Sequence, residues 1–195
     1  MPLELAGCKP APHIRTLSHD TTLNMKVLLC EGKHLRLVQA QGWEYAERTK
    51  ASGIVAILAI TPDQKLLLTE QYRLPVNKRV IELPAGLAGD VAGAETEELT
   101  SAAQRELREE TGYEAQRFEF LFEGPPSAGA TSEVITFFRA VGLRRVGAGG
   151  GEENEEIELH EVPLQTVREW LHKKSAAGVL IDPKVYAGLY FALSA

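Results

Sequence analysis

The segment RELREETGY, residues 105–113, with Glu97 upstream, sets several carboxylates and one guanidinium at fixed spacing ahead of a glycine. At roughly 100° per residue, Glu106 and Glu110 return close to the direction of Leu99, Ala102 and Ala103, so a helix through this segment aims them inward. Glu109 lies three residues after Glu106 and flanks the same cluster. Arg108, Gln104 and Ser101 fall on the opposite, solvated side, and Gly112 suits the left-handed position that ends a helix. A solvated charged face is the competing reading of any such run, but the inward phase contradicts it. Carboxylates brought together away from water need protons, basic partners or metal. Oxygen-only donors suit Mg2+ or Mn2+ better than zinc, and Arg105 is the local cation that can hold a carboxylate in place.

These side chains need a scaffold, and the rest of the chain reads as one. Residues 25–30 and 35–39 are strand-like, with Glu31, Gly32 and Lys33 as the turn between them, and predict a small antiparallel accessory sheet. A core strand is expected over 53–60, a turn at TPDQ, and another strand over 65–71. Further strands are expected over 118–122, 134–140 and 156–162, and helices over 164–173 and 183–193. The order is mixed α/β around one core. In LPAG, Pro84 and Gly86 predict an irregular turn able to leave a carbonyl pointing at a cation.

Composition bounds the possibilities. With 195 residues, 44% hydrophobic content and a net charge of −6, the chain can bury a core in one main domain, and a general nucleic-acid binder is disfavoured. No apolar run approaches a membrane span and no signal-like start is present, so a cytoplasmic protein is expected. Cys8 and Cys30 form no close motif, which predicts neither a zinc site nor a disulfide framework.

Other residues have chemistry of their own. Trp43 beside Glu44 offers a purine an aromatic face and an acceptor for an exocyclic amine, with core packing as the alternative. Arg48 and Arg73 suit phosphate or ribose oxygens, although isolated arginines are commonly surface residues. RRVGAGGGEENEEIE couples a glycine-rich, mobile loop to glutamates and reads by composition as a solvated linker.

The box around the helix resembles that of the Nudix hydrolases, G-x5-E-x7-R-E-U-x-E-E-x-G-U with U bulky and apolar. Glu97, Arg105, Glu106, Leu107, Glu109, Glu110, Gly112 and Tyr113 match it. The leading glycine does not: Val91 stands there, and Gly86 precedes Glu97 by ten intervening residues, 87–96, so DVAGA reads as lying in a loop insertion. GWEYAER, EQYRLPV, IELPAG, SAGATSE, EENEEIEL and IDPKVYAGLYFAL narrow the resemblance to the branch of ADP-ribose and nucleoside-diphosphate-sugar pyrophosphatases.

That resemblance implies an α/β/α sandwich over 49–195, preceded by an N-terminal sheet over 1–48 that is exchanged in a homodimer. It implies Mg2+, with Mn2+ as alternative, bound by Glu106, Glu109, Glu110 and the Ala85 carbonyl. It places base binding at Trp43 and Glu44, and phosphate or ribose contacts at Arg48 and Arg73. It implies Glu155 as the general base, with Glu153 or Glu156 as register alternatives and Glu133 as a second candidate. Such a base on a mobile loop would reach the water only after substrate enters. Ser127, Ala128 and Gly129 occupy an S-P-G pattern in which ADP-ribose enzymes carry proline at the position of Ala128. ADP-ribose therefore stands first as substrate, split to AMP and ribose 5-phosphate, with ADP-sugars and GDP-mannose behind. The Trp- and Pro-rich stretch of the NADH-cleaving branch is absent, which ranks that substrate low. A nucleotide-sugar sensor without turnover is the alternative from another class. An isoprenoid-diphosphate isomerase is set aside, because both cysteines lie away from the box.

Overall fold

Short alternating segments ended by turn residues build the first sheet. In the computed structural model, which describes residues 9–10, 26–90, 93–151 and 156–193, β1 (Lys9–Pro10), β2 (Lys26–Glu31), β3 (Leu35–Ala40) and β4 (Trp43–Arg48) pair antiparallel in that order. Gln41 (φ 53) and Gly42 (φ 81) supply the left-handed pair that a tight β3–β4 hairpin requires. The strand β4 is an addition to the expected accessory sheet. Cys30 is disulfide-bonded, which corrects the expectation drawn from cysteine spacing. Proximity in space, not spacing along the chain, decides whether a disulfide can form.

The central elements follow: β5 (Gly53–Ala59), β6 (Lys65–Arg73), a 3-10 turn (Leu74–Val76), β7 (Lys78–Glu82) and β8 (Ala85–Ala88). Then come α1 (Leu99–Thr111), β9 (Tyr113–Glu114), β10 (Arg117–Gly124), β11 (Ile135–Val141) and β12 (Arg144–Arg145). After these lie β13 (Glu158–Pro163), α2 (Val167–Ala176), β14 (Leu180–Ile181) and α3 (Pro183–Leu193). One sheet has the order β10-β11-β5-β8 and another β13-β6-β7-β14, each mixed, with β11–β5 and β14–β7 parallel.

β5 explains the layering. Its alternate residues Val55, Ile57 and Ala59 pack with Ala102, Ala103 and Leu107 of α1, while Ala56 and Leu58 share a core with Val167 and Leu171 of α2 and Val185 and Leu189 of α3. A strand buried on both faces needs an apolar run without polar alternation, which GIVAILA provides. Helices thus cover both sides, giving the α/β/α sandwich. Leu107 is fully buried, a burial that contributes about 1.5–3 kcal/mol. Among the described residues, no helix is long and apolar enough to cross a membrane.

Two expectations are adjusted. α2 starts at Val167 instead of residue 164, because Leu164 N–H donates to Gln64 O (3.0 Å) and Thr166 N–H to Pro163 O (3.0 Å), so a turn precedes the helix. LPAG is not an irregular turn throughout. The bend is confined to its start, and Ala85 and Gly86 belong to β8, paired with Ala56 and Val55. Helix α3 has the expected bounds.

Candidate active site

α1 brings the box residues to the edge of β8. Its apolar face is fixed by Ala102, Ala103 and Leu107, and the same phase buries Glu110 and half-buries Glu106. Gly112 (φ 71) ends the helix, its N–H donating to Arg108 O at 2.9 Å. Glu110 Oε2 accepts the Ala85 N–H at 3.1 Å. Glu106 lies directly over Gly86, where an added Cβ would sit 1.9 Å from the Glu106 carboxyl carbon. Only glycine admits that approach.

Arg105 organises the acids. Its Nη1 donates to Glu106 Oε1 at 2.8 Å and to Glu109 Oε2 at 3.2 Å. Nε and Nη2 grip the two oxygens of Glu97 at 3.2 and 3.1 Å, and Nη2 also donates to Leu87 O at 2.8 Å. Arg105 thus contacts three carboxylates, those of Glu97, Glu106 and Glu109. Burial pushes the Glu106 carboxyl up to about 7; Arg105 opposes the shift, and Glu109 and Asp90 add to it. The Arg105 hydrogen bond holds Glu97 below the usual carboxylate range. Four carboxylates, those of Glu97, Glu106, Glu109 and Glu110, stand around the one Arg105 guanidinium, and the side-chain atoms they offer a cation are all oxygens, which fits a hard divalent cation.

A cavity of about 360 Å3 opens beside it. Glu106, Glu110, Ala85 and Gly86 line one part, and Arg48, Arg73, Glu133 and Lys184 line others. Each cation there has an acidic neighbour: Arg48 Nε donates to Glu133 Oε1 at 2.7 Å, Arg73 to both oxygens of Glu82 at 2.8 and 3.1 Å, and Lys184 to Asp182. Gln71, Glu82 and Lys184 were not singled out from sequence. Period-two alternation through Thr69, Gln71 and Arg73 on β6 was the signal for Gln71, and nothing local marked Lys184.

Several expected residues lie elsewhere. Trp43 and Glu44 stand outside this cavity, with Trp43 62% exposed and its indole N–H donating to Gly129 O at 3.1 Å. Ala128 and Gly129 belong to a loop tied to β4 through Ala46 N–H to Ala130 O (2.9 Å) and Ser132 N–H to Ala46 O (3.1 Å). Glu153 and Glu155 fall outside the described residues, and Glu156 is exposed. In the glycine-rich stretch before them, Gly150 N–H donates to Glu110 O and Gly151 N–H to Glu109 O, each at 3.0 Å.

A second acidic group lies apart from the box. Among the described residues, Glu70, Glu158 and His160 bring ligand-type atoms within 4.8 Å of one another. Lys174 Nζ (2.6 Å) and Arg79 Nε (2.6 Å) already bond Glu70, so positive charge occupies that place.

The NUDIX domain matches residues 50–182. A methanol dehydrogenase activator of Bacillus methanolicus is 36% identical over 129 residues, 66% of this chain and 67% of that protein. An ADP-ribose pyrophosphatase of Bacillus subtilis is 33% identical over 120 residues, 61% of this chain and 62% of its own length. A GDP-mannose pyrophosphatase of Citrobacter koseri is 33% identical over 123 residues, 59% and 61%. The chain thus spans about three fifths of those two pyrophosphatases. A solved structure described as an ADP compounds hydrolase shares the fold at TM-score 0.53 and 19% identity, over 86% of both chains. The chain belongs to the Nudix family.

Proposed function

We propose that this protein is a divalent-metal-dependent pyrophosphohydrolase that splits ADP-ribose into AMP and ribose 5-phosphate. The observation that carries this reading is the two-sided cavity, with the α1 carboxylates over Gly86 in one part and Arg48, Arg73 and Lys184 in others. A diphosphate needs cations on its oxygens, and the Bacillus subtilis relative supports the choice of substrate. Mg2+ or Mn2+ held by Glu106, Glu109, Glu110 and the Ala85 carbonyl would neutralise the diphosphate and acidify a water.

The chain's own groups do the rest. Arg105 orients Glu106 and Glu109, and Arg48 and Arg73 donate to phosphate or ribose oxygens. Glu155, outside the described residues, takes the proton of the attacking water, with Glu153 and Glu156 as register alternatives. Glu133 is the described alternative, and it lines the cavity. At about 360 Å3 the cavity is near the lower end of the range of about 300–1,000 Å3 usual for small-molecule sites. It suits the diphosphate and one sugar, leaving the adenine for Trp43 and Glu44 beside the Ala128–Gly129 loop. Exchange of the sheet in residues 1–48 within a homodimer would bring a second copy's Trp43 to the site, with residues 49–195 as the Nudix domain.

GDP-mannose is the second reading, favoured by the Citrobacter koseri relative and by Ala128 in place of the usual proline. A product assay with Mg2+ against ADP-ribose, ADP-glucose, GDP-mannose, FAD and NADH tests both. Highest kcat/KM on ADP-ribose, with AMP and ribose 5-phosphate formed, supports the first reading. Preference for GDP-mannose selects the second, and no metal-dependent product from any of them leaves the sensor reading.

A further inference from the structure

The last carbonyls of an α-helix have no partner inside the helix. In α1 the Arg108 carbonyl is met by the Gly112 amide, but the next two are met by the glycine-rich segment 147–151. Gly151 N–H donates to Glu109 O and Gly150 N–H to Glu110 O, each at 3.0 Å. Val146 and Gly147 N–H both donate to Gly112 O, at 2.8 and 3.0 Å. The carbonyls engaged in this way belong to two of the acids of the box.

The contact is backbone on backbone. A Cβ at Gly149 would lie 2.5 Å from Thr111 C and 2.7 Å from Glu110 O, with no flexible side chain to give way. Gly149, Gly150 and Gly151 all have positive φ, at 73, 110 and 83°, a region that L side chains rarely adopt. Arg145 pins the start of the segment: its Nε donates to Gly147 O at 3.2 Å and its Nη1 to Glu161 Oε1 at 3.2 Å. Glu161 Oε1 also accepts the Tyr113 hydroxyl at 2.9 Å, and β12 pairs Arg145 with Tyr113.

We infer that segment 147–151 is a positioning clamp: its amides hold the last turn of α1 so that Glu109 and Glu110 keep the orientation needed to take up a divalent cation. Helix ends fray when their carbonyls are unpaired, and fraying here would swing both carboxylates. The amides also offset the partial negative charge of the helix C-terminus, which would otherwise add to that of the acids. Gly149 and Arg145 are positioning residues. This inference rests on the metal-site reading given above.

The test titrates Mn2+ into wild type, Gly149→Ala, Arg145→Gln and Gly147→Ala, following free Mn2+ by electron paramagnetic resonance, with circular dichroism melts as the folding check. At Gly147 a Cβ would meet only Gly112 Cα at 3.9 Å, so that variant is the control. The expected result is an Mn2+ Kd raised about tenfold in Gly149→Ala, raised less in Arg145→Gln and unchanged in Gly147→Ala. KM for ADP-ribose at saturating metal should not move. A folded Gly149→Ala with wild-type Kd overturns the clamp; should that variant not fold, a wild-type Kd in Arg145→Gln does so. Wild type that binds no Mn2+ overturns the metal reading itself, and the clamp's role with it.

Discussion

Glu106 on α1 and Glu70 on β6 are both largely withdrawn from water, yet Glu106 is pushed up to about 7 and Glu70 is brought down to about 2. Burial raises both. At Glu70 it is overcome by hydrogen bonds from Lys174, Arg79 and His160, at 2.6, 2.6 and 2.9 Å. At Glu106 a single guanidinium is shared with Glu97 and Glu109. Crowded ligand-type atoms do not by themselves mark a cation site; the balance of charge around them does. The Glu70 group brings ligand-type atoms within 4.8 Å of one another, but Lys174 and Arg79 already bond Glu70. The α1 group shares one guanidinium among Glu97, Glu106 and Glu109, and in the reading proposed above it takes a divalent cation.

Breaking the α1 side should have the largest effect. Glu110→Gln is expected to lower kcat about a thousandfold, while the unfolding temperature holds or rises because a buried like charge has gone. Steady-state kinetics beside thermal melts measure both, and near-normal turnover would remove Glu110 from the metal set.

Glu70→Gln should do the reverse. Unfolding free energy in urea should fall by about 2 kcal/mol, less than for a fully enclosed pair because Lys174 and Arg79 stay 26% and 34% exposed. Turnover per folded molecule should be unchanged, and a loss of kcat would join the two regions functionally.

The pH dependence sharpens the same contrast. The folded Glu70 carboxyl is depressed from 4.5 to about 2, so its stabilising contribution is fully present above about 4.5 and is lost as pH falls toward about 2. Urea denaturation across that window should show a steeper acid decline in wild type than in Glu70→Gln, and equal slopes would refute the assignment.

The smallest effect is expected at Glu158, whose side chain is 58% exposed and whose contact with Arg79 is 3.5 Å. Glu158→Gln should change stability by no more than about 0.5 kcal/mol. A melting temperature that responds to Zn2+ in wild type and not in this variant would instead make the Glu70 group a metal site.

The α1 region was legible along the chain because its information is local. A 3.6-residue period sets which carboxylates turn inward, Gly112 marks the end, and Ala102, Ala103 and Leu107 say which face is buried. The same holds for β5, whose unbroken apolar run announces burial on both faces, and for α3, which begins at Pro183. The Glu70 group was not legible. Glu70, Arg79, His160 and Lys174 come from β6, β7, β13 and α2, and no spacing rule links residues joined only by strand register and helix packing. Lys184 at the cavity and the disulfide at Cys30 were hidden for the same reason. The glycine segment 147–151 gave the opposite impression, since by composition it resembles a linker. Only the approach of its backbone to α1 turns that glycine content into a packing requirement. Sequence alone determined which helix carries the acids and which way they face, because periodicity is a property of neighbours. Tertiary structure decided which acids are neutralised, which cations line the cavity and what holds the helix end, because those depend on groups brought together from distant parts of the chain.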